Sequence, residues 1–71
     1  MKAKEGALRA AWKKEQAMGD WVREDGKGRV QWSPLRGTWM VYVAEKDNVM
    51  VCVGQSLTLM DALSMANERL V

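Results

Sequence analysis

The stretch WMVYVAEKDNVMVCVG, residues 39–54, decides the fold because two alternating apolar runs flank a polar turn. Side chains two positions apart share one face of a strand. One face of the resulting hairpin carries tryptophan and valines, namely Trp39, Val41, Val43, Val49, Val51 and Val53. The other face carries Met40, Tyr42, Ala44, Met50 and Cys52. Residues 45–48 form the turn, in which Asn48 is the residue best suited to a positive φ. Both faces are apolar, so we expect both to need cover.

The residues before the hairpin add a strand. Val30 and Trp32 alternate with polar neighbours over residues 29–33, and Pro34 ends the run because a central strand would need its missing N–H. We therefore predict a three-stranded antiparallel sheet over about 29–33, 38–45 and 49–54.

Helices are predicted before and after these strands along the chain. Thr58 is a suitable N-cap for a C-terminal helix over about 58–70, whose apolar stripe would pack on the Val/Trp face. Helical spacing of Leu8 and Trp12 predicts an N-terminal helix over 3–18, closed by Gly19 as an αL cap. Residues 19–28 then form a connector with a turn at Asp25-Gly26. The fold class is α+β, with residues 1–71 forming a single domain.

The composition lacks the residue types of the commonest catalytic and metal-binding sites. The chain of 71 residues has no histidine and one cysteine, so the commonest general base and the usual zinc ligand sets are missing. We expect no enzyme activity, no metal and no cofactor. The single cysteine suits a reducing cytoplasm, and no apolar run is long enough to predict a membrane span or a signal peptide.

Charge is uneven along the chain. Residues 1–36 carry nine Lys/Arg and five Asp/Glu, a local charge of +4, whereas residues 37–71 carry two and four, a local charge of −2. The basic half is typical of a solvated helix face and turn, but it also permits contact with nucleic acid.

From Gly37 to Asn67 the pattern resembles the DNA-binding domains of plant ethylene-response factors and the arm-binding domains of phage and transposon integrases. The matching residues are Gly37-Thr38-Trp39, Val51-Cys52-Val53-Gly54, Thr58, Ala62 and Asn67. The resemblance implies a three-stranded sheet with one helix, whose open face enters the DNA major groove through Arg and Trp side chains. This sequence departs at that face, because its hairpin strands present Met, Tyr and Cys there. Base readout needs matching donors, so the resemblance supports the fold more than the activity.

The sheet face opposite the C-terminal helix is the predicted site. The N-terminal helix, a second copy of the chain or a different macromolecule could cover it. Our leading hypothesis is a protein-binding module with contacts at Met40, Tyr42, Met50, Arg29 and Gln31. In size and lack of catalytic residues the chain resembles accessory or inhibitor proteins of phages and mobile elements, such as anti-CRISPR proteins. A nucleic-acid-binding domain is the alternative, using Arg23, Lys27, Arg29, Arg36, Lys13 and Lys14. Homodimerisation through the same face is a third possibility.

Overall fold

The computed structural model of the protein describes residues 11–15 and 19–70. These residues form five strands, one short 3-10 turn at Lys46–Asn48 and one α-helix. The strands are β1 (Trp12–Lys14), β2 (Trp21–Arg23), β3 (Gly28–Ser33), β4 (Thr38–Ala44) and β5 (Met50–Ser56), and the helix is α1 (Leu59–Arg69). The strands lie in the sheet in chain order, each antiparallel to the next. The fold is therefore an antiparallel meander followed by a helix, and the α+β class is confirmed.

The core lies between α1 and one face of the sheet. Val30, Val41 and Val43 are buried on that face, and Ala62, Leu63 and Ala66 are buried on the helix. Small alanines let the helix approach the valines closely, so that Leu63 is completely enclosed. As predicted, the C-terminal helix packs on the Val/Trp face, although Trp32, Val49 and Val51 of that face remain exposed. Thr58 is the N-cap as predicted, and its Oγ1 accepts a hydrogen bond from the Asp61 N–H at 3.2 Å.

The predicted N-terminal helix over 3–18 is wrong where the structure describes it. Trp12–Lys14 is a strand paired with Trp21–Arg23, and residues 3–10 and 16–18 of the predicted helix lie outside the described residues. Gly19 does adopt the left-handed conformation, with φ of 74°. It does so two residues before β2, and its N–H donates to the Glu15 carbonyl at 2.8 Å.

The predicted connector 19–28 and the three-stranded sheet are also wrong, because two short strands were not predicted. β2 lies within that connector and pairs with both β1 and β3, so β3 is flanked on both sides. A strand of three residues is too short to show alternation in sequence. The turn predicted at Asp25-Gly26 does join β2 to β3, with the Gly26 N–H donating to the Arg23 carbonyl at 2.8 Å.

Trp12 explains why β1 is a strand. Its side chain is buried, and its indole Nε1 donates to Oδ1 of Asn67 on α1 at 3.3 Å. The ring lies directly over Gly28, where an added Cβ would stand 2.8 Å from the ring carbon Cη2. This tertiary contact outweighs the local helical spacing from which the N-terminal helix was predicted.

The hairpin β4–β5 is close to its prediction but contains one irregularity. Val41 pairs with Gly54 whereas Tyr42 pairs with Cys52, so Val53 is an extra residue on β5. Such a bulge bends the strand and resets its alternation. Gly54 consequently lies opposite Val41 and against Met65 of the helix. Val53 packs against the core, on the face predicted for it, and the strand runs to Ser56 instead of ending at residue 54. In the turn, Asn48 has the expected positive φ, as has Asp47.

We expect Gly28→Ala to destabilise the protein by about 1–2 kcal/mol, because the new methyl group would overlap the confined Trp12 ring. Gly54→Ala is the matched control: its Cβ would meet the flexible end of Met65, at 2.7 Å from Sδ, and that side chain can turn aside. Urea unfolding followed by tryptophan fluorescence measures both. Equal loss of stability in the two variants would contradict the proposed packing of Trp12 over Gly28.

Candidate functional site

The face of the sheet opposite α1, called here the open face, is not covered by any described element. Strand register places the predicted contact residues there as neighbours. Arg29 lies opposite Tyr42, Gln31 opposite Met40, and Tyr42 opposite Cys52 on the next strand. Met50 completes the row on β5, opposite Ala44. The sequence therefore placed these side chains correctly on one face, although their use as a binding site stays a prediction.

One half of the open face, over β1–β3, is organised by a buried carboxylate. Asp20 is only 2% exposed, and its Oδ2 accepts hydrogen bonds from Arg29 Nη1 at 2.6 Å and from Gln31 Nε2 at 3.2 Å. Arg29 Nη1 also donates to Glu15 Oε1 at 3.0 Å. A buried charge persists in a protein only when it is paired and hydrogen-bonded in this way.

The same contacts hold Arg29 in its charged form. Its hydrogen bond to Glu15 makes the largest contribution to raising the pKa of the guanidinium. Partial burial lowers that pKa, and the hydrogen bond to Asp20 raises it further. Arg29 and Gln31 thus have donors committed to an internal network, which the sequence reasoning missed. Asp20 was not recognised because β2, which begins at the next residue, was not predicted. Once Trp21 is set opposite Val30, continuing the register brings Asp20 alongside Gln31.

The other half of the open face, over β4 and β5, is apolar and more accessible. Met40 and Tyr42 are half-buried, Cys52 is an exposed free thiol, and Met50 is 39% exposed. Accessible apolar side chains continue next to Met50 along the chain, with Val49 59% exposed. The open face therefore has a polar, internally bonded half and an apolar half.

The basic residues of the alternative hypothesis do not form one surface. Lys13 is exposed on the open face, but Lys14, one residue along the strand, points to the face that α1 occupies. Lys27 and Arg36 lie in turns at opposite ends of β3, which are separated by roughly 17 Å of strand.

Arg23 is paired with an acid. Its Nε lies 3.4 Å from Asp25 Oδ2, and its Nη1 is buried with no hydrogen-bond partner among the described residues. Arg23 and Lys13 line a shallow depression together with Glu15 and Glu24. Two cations and two anions at one place give no net attraction for phosphate.

Among the described residues, no group of three His, Cys, Asp or Glu side chains could hold a metal ion, and no helix is long and apolar enough to cross a membrane. Comparison with known proteins gave no matching family model, no similar curated protein and no similar solved structure.

We expect Asp20→Ala to lower the free energy of unfolding by about 2 kcal/mol, because Arg29 and Gln31 would lose a shared buried acceptor. Glu24→Ala is the control: it removes the same charge from an exposed turn residue and should change stability by less than about 0.5 kcal/mol. Chemical denaturation of both variants provides the comparison. If the two variants unfold at the same denaturant concentration, Asp20 is not the centre of this network.

Proposed function

We propose that the protein is a non-enzymatic protein-binding module whose contact surface is the apolar half of the open face. The observation that carries the proposal is the accessibility of Met50 and Cys52 beside the half-buried Tyr42, on a face that no described element covers. Aromatic residues and methionine are enriched at the centres of protein interfaces, and methionine adapts its shape to a partner.

The division of the open face supports this choice of surface. On the polar half, donors of Arg29 and Gln31 are bound to Asp20, so a partner would have to break internal hydrogen bonds to use them. On the apolar half, a partner would only have to displace water. Tyr42 lies where the two halves meet, because it is the cross-strand neighbour of both Arg29 and Cys52. We infer that it is the anchor and that the charged network forms the polar rim.

The biological role proposed with this surface is that of a small accessory or inhibitor protein, which acts by covering a site on its partner. The support is a residue inventory without histidine and with a single cysteine. We propose a cytoplasmic location, since Cys52 is a free and exposed thiol and such thiols persist in reducing compartments.

Met50→Glu should weaken capture of a partner protein by at least about tenfold, because it would bury an unpaired carboxylate in an apolar contact. Leu35→Glu is the matched control: it makes the same kind of change at a 95% exposed residue in the β3–β4 turn. The measurement is affinity capture from nuclease-treated cell lysate with wild-type and variant chains, followed by quantification of the captured protein.

Salt dependence distinguishes the protein-binding proposal from nucleic-acid binding. Contact through the apolar half should be nearly insensitive to ionic strength, whereas phosphate contacts weaken steeply as salt rises. Binding that disappears with nuclease, falls steeply with salt and ignores Met50→Glu would overturn the proposal in favour of nucleic acid. Arg29→Ala is unsuitable for this purpose because it also removes the partner of buried Asp20.

A further inference from the structure

β5 lies at one edge of the sheet formed by the described residues, and its composition is unusual for an edge. Its seven residues, MVCVGQS, include no charge and no proline, and both Met50 and Val51 are 39% exposed. Proteins normally protect an edge strand with charges, proline, short length or a β-bulge, and β5 has only the bulge at Val53, which leaves residues 50–52 as a regular, uncharged edge. β1, at the opposite edge, follows that rule, because it has three residues and two of them are lysines. The two edges of the sheet therefore differ in how well they are protected against pairing with a further strand.

The backbone of β5 shows which residues are available for pairing. The Glu45 N–H donates to the Val49 carbonyl at 2.9 Å, so the Val49 carbonyl points toward the strand β4. Backbone groups alternate in direction along an antiparallel pair. The backbone N–H and C=O groups of Val51, which lies opposite Val43, therefore also point toward β4. Those of Met50 and Cys52 point outward, away from the sheet.

We propose that β5 pairs with β5 of a second copy of the chain, antiparallel, with Val51 on the two-fold axis. In this register Met50 of each copy lies opposite Cys52 of the other, and both outward-pointing residues exchange hydrogen bonds. Val51 then faces its own counterpart in a pair that is not hydrogen-bonded, where side chains approach most closely. A two-fold axis that passes between two residues is excluded. It would set a residue whose backbone groups point outward against one whose backbone groups point toward β4.

The charge pattern along the chain is compatible with a second copy as the occupant. The charged residues nearest to β5 in the sequence are Glu45, Lys46 and Asp47, in the turn before it. In the antiparallel register each of these turns would lie beside the uncharged end of the other β5, residues 55–57. Pairing therefore brings no like charges together, and the exposed parts of Val49, Met50 and Val51 leave water. The bulge at Val53 limits the straight pairing to a few residues, so the dimer should dissociate on dilution.

This inference does not depend on the proposed function. It rests on the edge of the sheet, whereas the proposed partner site is one of its faces. The two are compatible because Met50 and Cys52 keep their side chains on the open face, so dimerisation would join two open faces into one larger surface.

Single-cysteine cross-linking tests the register. In a Cys52→Ser background, Val51→Cys would place two thiols directly opposite each other, with Cα atoms about 4.5 Å apart and within disulfide reach. Val49→Cys in the same background is the matched control, because the two thiols would then lie roughly 13 Å apart along the strands. We expect mild oxidation to convert most of the Val51→Cys chain to a covalent dimer and to leave the Val49→Cys chain monomeric. Equal cross-linking of both variants, or faster cross-linking of wild-type Cys52, would overturn the proposed register.

Sedimentation equilibrium tests the dimer itself without cross-linking. Reduced wild-type chain should show a reversible monomer–dimer equilibrium, and Val51→Lys should remain monomeric because it would place two ammonium groups at the axis. Leu35→Lys, the same type of change in the β3–β4 turn, should dimerise like the wild type, and circular dichroism checks that each variant is folded. If Val51→Lys fails to fold, the cysteine pair still decides the question. A wild-type chain that is strictly monomeric at millimolar concentration would overturn the dimer proposal. This holds even if Val51→Lys abolished capture of a different protein, since that result would concern only the proposed function.

Discussion

The close contact between α1 and the valines of the sheet is the constraint on which the rest of the structure depends. Ala62 and Ala66 bring the helix axis near the strands, and Leu63 fills the space between Val30, Val41 and Val43. A single helix can satisfy only one face of a sheet. Among the described residues no second helix covers the other face, so the residues on that face are stabilised in another way.

The protein meets this requirement differently on the two sides of the sheet. Over β1–β3 the open face is stabilised by an ion-pair network around Asp20, which fastens the β1–β2 hairpin to β3 through Arg29. Over β4 and β5 it is apolar, with side chains left partly in contact with water. Burial of exposed apolar surface of this kind favours binding. Both interactions proposed for this protein use that side of the sheet.

The sequence predicts the parts of the fold whose periodicity extends over several residues. Strands β3–β5, the turn at Asn48 and the helix after Thr58 all follow from such patterns. β1 and β2 do not, because three-residue strands show no alternation and because Trp12 is positioned by Gly28 and Asn67, residues far away in the chain. The site follows the same division. The row containing Tyr42 could be predicted from alternation, whereas the commitment of Arg29 to Asp20 depends on the hairpin that sequence analysis missed.

Lys13 and Lys14 on β1 would limit how far the proposed assembly of the chain could proceed. Two copies joined through β5 would have β1 as the outermost strand of the described residues at both ends. A third molecule approaching either end would meet a three-residue template whose ammonium groups repel those of an identical neighbour. Growth would therefore stop at a closed pair, and the chain would gain a self-complementary strand without the hazard of polymerising into fibrils.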